Sequence, residues 1–241
     1  MSADVPTLTD PGTSPPDEAR TVAVIADIVR SRSHADRSRL QEQIEAVLLD
    51  AEEAAEAHEP FTATVGDEFQ AVYGSLTAAL AATLHIMLAL PSGTSLRFGL
   101  GLGGVTPVDS RTSTAIQDGP GWWRAREALV RAEEAEAHRP SRRTWLRGPD
   151  PAQEATVNAY LLLRDMLIDG MNDRTRSYAR GAAQGKPQAA IAEAHGVSQS
   201  AVSQALRRSG ASELLEGMRL LEQASAAADP NAAEEQEADP A

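Results

Sequence analysis

Short apolar runs alternate with amphipathic stretches between residues 21 and 146. Residues 21–28 (TVAVIADI) form a continuous apolar run, which is typical of a strand buried on both faces. Together the runs predict five strands, at residues 21–28, 61–65, 69–73, 96–101 and 143–146. Helical spacing predicts three helices, at residues 38–57, 76–90 and 122–137. The order β-α-β-β-α-β, followed by α-β, is that of a ferredoxin-like α+β domain with one added unit.

The segment at residues 147–151 (RGPDP) predicts a domain boundary, because two prolines and a glycine interrupt any regular element. We therefore expect a sheet domain at residues 21–148 and a small all-α domain at residues 152–223. The second domain begins with an apolar helix at residues 155–171. Residues 1–20 and 224–241 lack apolar periodicity and are rich in proline or acidic residues, so we expect both to be disordered tails.

Composition and charge narrow the function classes. The chain has no cysteine, which excludes disulfides and thiol catalysis. It shows no signal peptide, and no apolar run is long enough to cross a bilayer, so a cytoplasmic protein without a membrane partner is expected. The net charge is −13, but residues 174–210 hold six basic residues and one acid. That window carries about +5 and the remainder about −18, which favours a local phosphate-binding surface.

Residues 187–210 (PQAAIAEAHGVSQSAVSQALRRSG) predict a helix-turn-helix. Ile191 and Ala192 lie on the inner face of the first helix, Gly196 suits a turn with positive φ, and Ser198 suits the cap of the second helix. The segment resembles the helix-turn-helix domains of bacterial regulators of the IAExxGVSQSAVSxxL type. His195 stands where a leucine usually fills the core, and we expect it to be partly buried.

The outer face of the second helix carries small or amide-bearing side chains, which suit base edges and phosphates. The candidate DNA-binding residues are Lys186, Ser198, Gln199, Ser200, Ser203, Gln204, Arg207 and Arg208. The alternative is a helical hairpin that only packs the domain or forms a dimer.

Acidic residues follow two of the predicted strands. Asp27 lies near the end of the first strand, and Asp67 and Glu68 lie at the tip of the predicted hairpin. In a ferredoxin-like fold these strands are neighbours, so the Asp27 and Asp67 carboxylates are expected to converge on a site for Mg²⁺ carrying nucleotide phosphates. The alternatives are a structural turn at Asp67 and a helix cap at Asp27.

The motifs ADIVRSR, VGDEFQAVY and RFGLGLGGV resemble, in this order, class III nucleotidyl cyclase domains, and the GDEF string is similar to diguanylate cyclases. The whole arrangement most resembles the SatD family, over roughly residues 20–220. The cyclase resemblance implies that Asp27 and Asp67 bind metal ions over a triphosphate. The nucleotide-binding residues expected with them are Ile28, Arg30, Gly66, Glu68, Arg97 and Arg124.

The sequence departs from the cyclase pattern where catalysis needs it most. Ala63 stands at the position of the base-reading lysine, Arg124 falls near the asparagine position, and Ala128 falls at the arginine position. Because losing a transition-state cation costs orders of magnitude in rate, we do not expect an enzyme.

The hypothesis from the sequence is a homodimeric DNA-binding transcription regulator, whose degenerate cyclase-like domain dimerises and senses a nucleotide. One alternative is an active nucleotidyl cyclase or related phosphoryl-transfer enzyme. The other is a ligand-free dimeric scaffold that binds double-stranded DNA. Of Trp122 and Trp123, one is expected in the core. The other is expected to stack on a base or to lie at a dimer interface.

Overall fold

The structure is a computed structural model that describes residues 20–29, 37–52, 55–64, 67–108 and 116–227. Most of the two predicted tails, together with Arg30 and Gly66, lies outside these ranges. The strands are β1 (Val22–Ile28), β2 (Glu59–Ala63), β3 (Glu68–Tyr73), β4 (Leu96–Leu102), β5 (Thr106–Val108), β6 (Ile116–Asp118) and β7 (Thr144–Arg147). The helices are α1 (Arg37–Glu52), α2 (Leu76–Ala89), α3 (Pro120–His138), α4 (Pro151–Asp169), α5 (Asp173–Ala183), α6 (Gln188–Ala194), α7 (Gln199–Arg208) and α8 (Ala211–Ala227).

The main sheet has the strand order β2-β3-β1-β4-β7. Strand β1 is antiparallel to both of its neighbours, β3 and β4, whereas β7 adds to β4 in the parallel direction. Along the chain, strands β1 to β4 and helices α1 and α2 follow the β-α-β-β-α-β order predicted from the apolar pattern. The α+β fold class is confirmed. Strands β5 and β6 form a separate two-stranded sheet that the sequence pattern did not predict.

The central strand β1 is buried on both faces, as its continuous apolar run predicts. Every second residue of β1, from Val22 to Ile28, packs into the large hydrophobic core that side chains of α1 and α2 also form. Ala23 and Ile25 point to the other face, where they pack against Ala125 and Leu129 of α3. The sheet is therefore covered by α1 and α2 on one face and by α3 on the other.

Two glycines of β4 allow α3 to lie against the sheet. A Cβ atom on Gly99 would lie 2.2 Å from the carbonyl oxygen of Ala125, and one on Gly101 would lie 2.0 Å from that of Gly121. Both distances are far inside van der Waals contact, so only glycine permits this approach. Part of the glycine run at residues 99–104 thus has a packing role in this chain.

The helical half of the molecule, from α4 to α8, begins at the predicted boundary. It shares its hydrophobic core with the sheet half, which runs from β1 to β7. Asp150 caps α4 through the main-chain nitrogen of Ala152, so this helix begins at Pro151, four residues before the predicted start. Asn158 of α4 accepts a hydrogen bond from the main-chain nitrogen of Leu146 (2.8 Å) and donates one to its carbonyl oxygen (2.9 Å). A single hydrophobic cluster then runs from β1 through to α8.

Two helices of the second half were not predicted. The first, α5, occupies the segment that the charge pattern marked only as basic. The second, α8, continues to Ala227, past residue 224 where the acidic tail was predicted to begin. None of the helices in the described ranges is long and apolar enough to cross a membrane.

Candidate nucleic-acid interface and carboxylate cluster

Helices α6 and α7 are joined by a short turn that has the predicted local features. Gly196 has φ +64°, and the hydroxyl of Ser198 accepts a hydrogen bond from the main-chain nitrogen of Ala201 at 3.2 Å. This cap satisfies one of the donors left without a helical partner at the start of α7. Ile191 and Ala192 of α6 are buried, as expected for the inner face of this helix pair.

Helix α7 is amphipathic, with one narrow buried stripe. Val202 and Leu206 lie in the hydrophobic core, one turn apart. The opposite face reaches solvent: Ser203 is half-buried, and the other predicted contact residues on α7 are exposed, namely Gln199, Ser200, Gln204, Arg207 and Arg208. Lys186 and Ser198, at the turns before α6 and α7, are exposed too. Six of the eight predicted DNA-binding side chains therefore belong to α7, Ser198 belongs to the turn before it, and Lys186 to the turn before α6.

Two of the six basic residues in the window at residues 174–210 lie against carboxylates of the fold. Arg176 is ion-paired with Asp173, and Arg180 lies 3.5 Å from the Asp50 carboxylate. The four remaining basic residues of the window, Arg174, Lys186, Arg207 and Arg208, are exposed. Three of these four belong to the predicted contact set.

His195 differs from the prediction that it is partly buried. It is exposed at the end of α6, where its Nε2 lies 3.1 Å from the Ser177 hydroxyl. Its ring meets that of Tyr178 edge-on, with 4.8 Å between the centroids. Tyr178 of α5 is itself buried in the core. Because α5 was not predicted, the side chain that fills this part of the core was missed.

A cluster of charged residues lies on the α3 side of the sheet, at the end of β1. Asp27 is paired in register with Arg97 of β4 and with Glu68 of β3. Nη1 of Arg97 donates to Oδ2 of Asp27 at 2.8 Å, and Nη2 donates to Glu136 of α3 at 2.7 Å. Arg126 of α3 holds Glu68 through two hydrogen bonds, of 2.6 and 2.8 Å.

The two paired carboxylates differ in their electrostatics. Burial raises the pKa of Asp27, and the nearby carboxylates of Glu133, Asp67 and Glu68 raise it further, while Arg97 opposes them. Burial would also raise the pKa of Glu68, but hydrogen bonds from Arg126 and Gln70 lower it below its usual value. The charged form is therefore disfavoured at Asp27, mainly by burial, and favoured at Glu68 by its hydrogen bonds.

The donor set for a metal ion is small. Asp27 and Asp67 interact electrostatically, and the main-chain nitrogen of Ile28 donates to the carbonyl oxygen of Asp67 at 3.3 Å. Within the described ranges, no group of three or more histidine or acidic side chains is arranged to hold a metal. Two carboxylates suit Mg²⁺ that arrives with nucleotide phosphates and keeps its waters, but they do not make a self-sufficient metal site.

The remaining predicted nucleotide-binding residues are divided. Arg97 lies in the cluster, but its guanidinium group donates to the carboxylates of Asp27 and Glu136 rather than facing an open site. Arg124 lies at the opposite end of β4, where it donates to the carbonyl oxygen of Leu102 at 2.7 Å, so the structure does not bring it to Asp27. Arg30 and Gly66 lie outside the described residues. Trp122 is half-buried against Ile25, whereas Trp123 is exposed and donates to Asp118 at 2.7 Å.

Sequence reasoning missed two members of the cluster, Arg126 and Glu136. Together with Glu133 they lie seven and three residues apart on α3, a spacing that places all three on one helical face. That spacing was a usable signal. It did not reveal which strand residues the face would meet.

Fold and site together define an α+β sheet domain joined to a helical segment that contains a helix pair, α6 and α7, with an exposed polar face. The SatD family model matches residues 21–219, most of the chain, and the chain belongs to the SatD family. No protein with a curated description matches it.

Proposed function

We propose that this protein is a DNA-binding transcription regulator in which α7 is the recognition helix. One observation carries the proposal: α7 is anchored by Val202 and Leu206 and presents amide, hydroxyl and guanidinium groups to solvent along its other face. A helix that only packed the domain would need no such composition. An ordinary solvated face would be rich in glutamate and lysine, and α7 contains neither.

The exposed groups match the chemistry of duplex DNA. Glutamine side chains such as Gln199 and Gln204 form paired hydrogen bonds with adenine, and arginines such as Arg207 do so with guanine. Ser198 and Lys186 flank α7 and α6 and are suited to phosphate oxygens, which fix the position of a recognition helix. The acidic remainder of the chain opposes binding elsewhere on the surface, which confines phosphate attraction to this region.

The proposal includes a homodimer, because two α7 helices related by two-fold symmetry fit a palindromic site. Two large apolar side chains of α4 support self-association: Leu163 and Met166 are 59% and 53% exposed. Sedimentation equilibrium of the parent and of Leu163→Glu tests this part. We expect a dimer for the parent and a shift toward monomer for the variant.

A second candidate function is nucleotide sensing at Asp27 and Asp67. The arrangement of carboxylates favours it: Asp27 interacts with Asp67 and Glu68, and a divalent cation carried by a nucleotide would offset both their repulsion and the cost of burying the Asp27 charge. Binding without turnover is expected, since the cyclase positions at Ala63 and Ala128 lack the required side chains. Calorimetry with Mg²⁺ and ATP or GTP tests binding, and pyrophosphate release tests the alternative of an active cyclase. Absence of binding leaves the sheet domain as a dimerisation scaffold.

Selection from a random duplex library on immobilised protein tests the DNA-binding proposal. An enriched motif with two-fold symmetry is expected. Binding to that motif should weaken steeply with salt, because each neutralised phosphate contributes about −0.9 to the log–log slope. A library that shows no enrichment over a column without protein would contradict the proposal.

A further inference from the structure

A cavity of about 210 Å³ lies between the sheet half and the helical half of the molecule. The loop from Leu90 to Leu96, which joins α2 to β4, forms one wall. Arg143, directly before β7, and the turn between α4 and α5 form the others. This volume is smaller than the roughly 300 Å³ at which pockets for larger organic ligands begin.

Two guanidinium groups contribute to this cavity, and both are largely removed from solvent. The side chains of Arg143 and Arg176 are only 12% and 15% exposed. Nη1 of Arg143 donates to Asp169 at 3.0 Å, and Nη2 of Arg176 donates to Asp173 and, at 3.3 Å, to the Ser92 hydroxyl. The two carboxylates are far more exposed than the arginines they pair with, at 48% and 67%.

The Arg176 side chain is not fully satisfied by these contacts. Its Nε is shielded from solvent and has no hydrogen-bond partner among the residues that the structure describes. A shielded donor on a charged group is costly to leave unpaired, and such a group commonly marks the place of an ion or an ordered water. Ser92 and the buried Thr94 add hydroxyl groups to the same cavity.

We propose that this cavity binds a small oxyanion of the phosphate class, either free phosphate or the phosphate group of a monoester, through Arg143 and Arg176. Shielded guanidinium forks are the groups that proteins use for such anions. Asp169 and Asp173 compensate the two cations when no ligand is bound, so an anion must compete with them. The site belongs to neither the α7 surface nor the Asp27 cluster, and its occupation would join Arg143 of the sheet half to α5, which leads to α6 and α7.

Titration calorimetry with inorganic phosphate, at constant ionic strength and against chloride, tests the site without DNA. We expect binding to the parent and at least a tenfold weaker affinity for Arg176→Gln and for Arg143→Gln. The matched control is Arg139→Gln, an exposed arginine outside the cavity, which should bind like the parent. Asp173→Asn and Asp169→Asn should bind phosphate severalfold more tightly, because each removes a competing carboxylate.

The two aspartate variants keep the test informative if the arginine variants fail to fold, since both carboxylates face solvent. Repeating the titration with glycerol 2-phosphate separates a monoester site, which should bind this compound at least as well as phosphate, from a site that accepts only the free ion. Three results would overturn the proposal: no phosphate binding by the parent, an equal loss in Arg139→Gln, or weaker binding by both aspartate variants.

Discussion

Arg164 and Asp165 are consecutive residues of α4, and both side chains are completely buried, with 3.0 Å between Nη2 and Oδ1. Arg164 also donates to the hydroxyls of Thr83 in α2 (3.0 Å) and Thr144 in β7 (2.6 Å). Oδ2 of Asp165 accepts from the main-chain nitrogen of Arg143 at 3.0 Å. This network joins the helical half to the sheet half through charged groups rather than through apolar packing alone.

Replacing Arg164 with methionine should destabilise the whole molecule. The change leaves Asp165 buried without its counter-charge, and breaking a buried pair from one side costs about 3–5 kcal/mol. Urea unfolding should show the loss as one lower midpoint for both halves, because they share a core. Arg219→Met is the matched control, since it breaks an exposed ion pair with Glu216 and should leave the midpoint unchanged. A parent-like midpoint for Arg164→Met would show that the network contributes nothing to stability.

Gly99→Ala should disturb the packing of α3 on the sheet. The added methyl group would meet the main chain of Ala125 and Leu129 at 2.2 and 2.5 Å, so the helix has to move. Overpacking of this kind costs about 1–3 kcal/mol, which thermal unfolding measures. Gly93→Ala is a poor control because its φ is +83°, whereas Gly148→Ala meets nothing closer than 3.7 Å. We expect Gly148→Ala to unfold like the parent, and equal effects of the two changes would contradict the close-approach argument.

Asp27→Asn should stabilise the protein at pH 7. The folded-state pKa of Asp27 is raised, mainly by burial, so its stabilising contribution is present in acid and is lost as the pH rises through that pKa. The advantage of the asparagine variant should therefore shrink as the pH falls toward about 4. Unfolding free energies measured between pH 4 and pH 8 test this.

Asp50→Asn should change stability with pH in the opposite direction to Asp27→Asn. A hydrogen bond with His85 lowers the pKa of Asp50, so this carboxylate stabilises the fold above about pH 4 and the contribution is lost in acid. The Asp50 variant should be less stable than the parent at pH 7 and should approach it as the pH falls. If the two variants showed the same pH trend, the account of the carboxylate cluster would be wrong.

Much of the fold could be predicted because apolar periodicity is a local property of the chain. The run at residues 21–28 and the helix at 76–90 match β1 and α2 within one residue at each end. The segment that forms α5, DRTRSYARGAA, was missed because its charged residues conceal a short buried stripe of Tyr178 and Ala179. Most of helix α8 lies in the helical domain predicted at residues 152–223, but no separate helix was assigned there, and only residues 224–227 fall in the segment expected to be a tail.

The sites were less predictable, because they depend on register and on packing between distant segments. The position of Asp27 at a strand end was visible in the sequence, but its pairing with Arg97 follows from the β1–β4 register. Arg124 and Arg126 differ by two residues on α3, yet only Arg126 reaches the carboxylates. The exposed face of α7 was predictable, since the spacing within a single helix determines which side chains face solvent.

DNA binding by single alanine variants of Gln199, Gln204 and Arg207 tests the central claim most directly. Each side chain is exposed on α7 and outside the core, so circular dichroism and thermal unfolding should match the parent. In a mobility-shift assay on the selected motif, each variant should lose about 1–3 kcal/mol of binding free energy and relax sequence preference. The controls Gln153→Ala and Arg139→Ala, at exposed positions on α4 and after α3, should bind like the parent. Three α7 variants that bind DNA with parental affinity and preference would contradict the account.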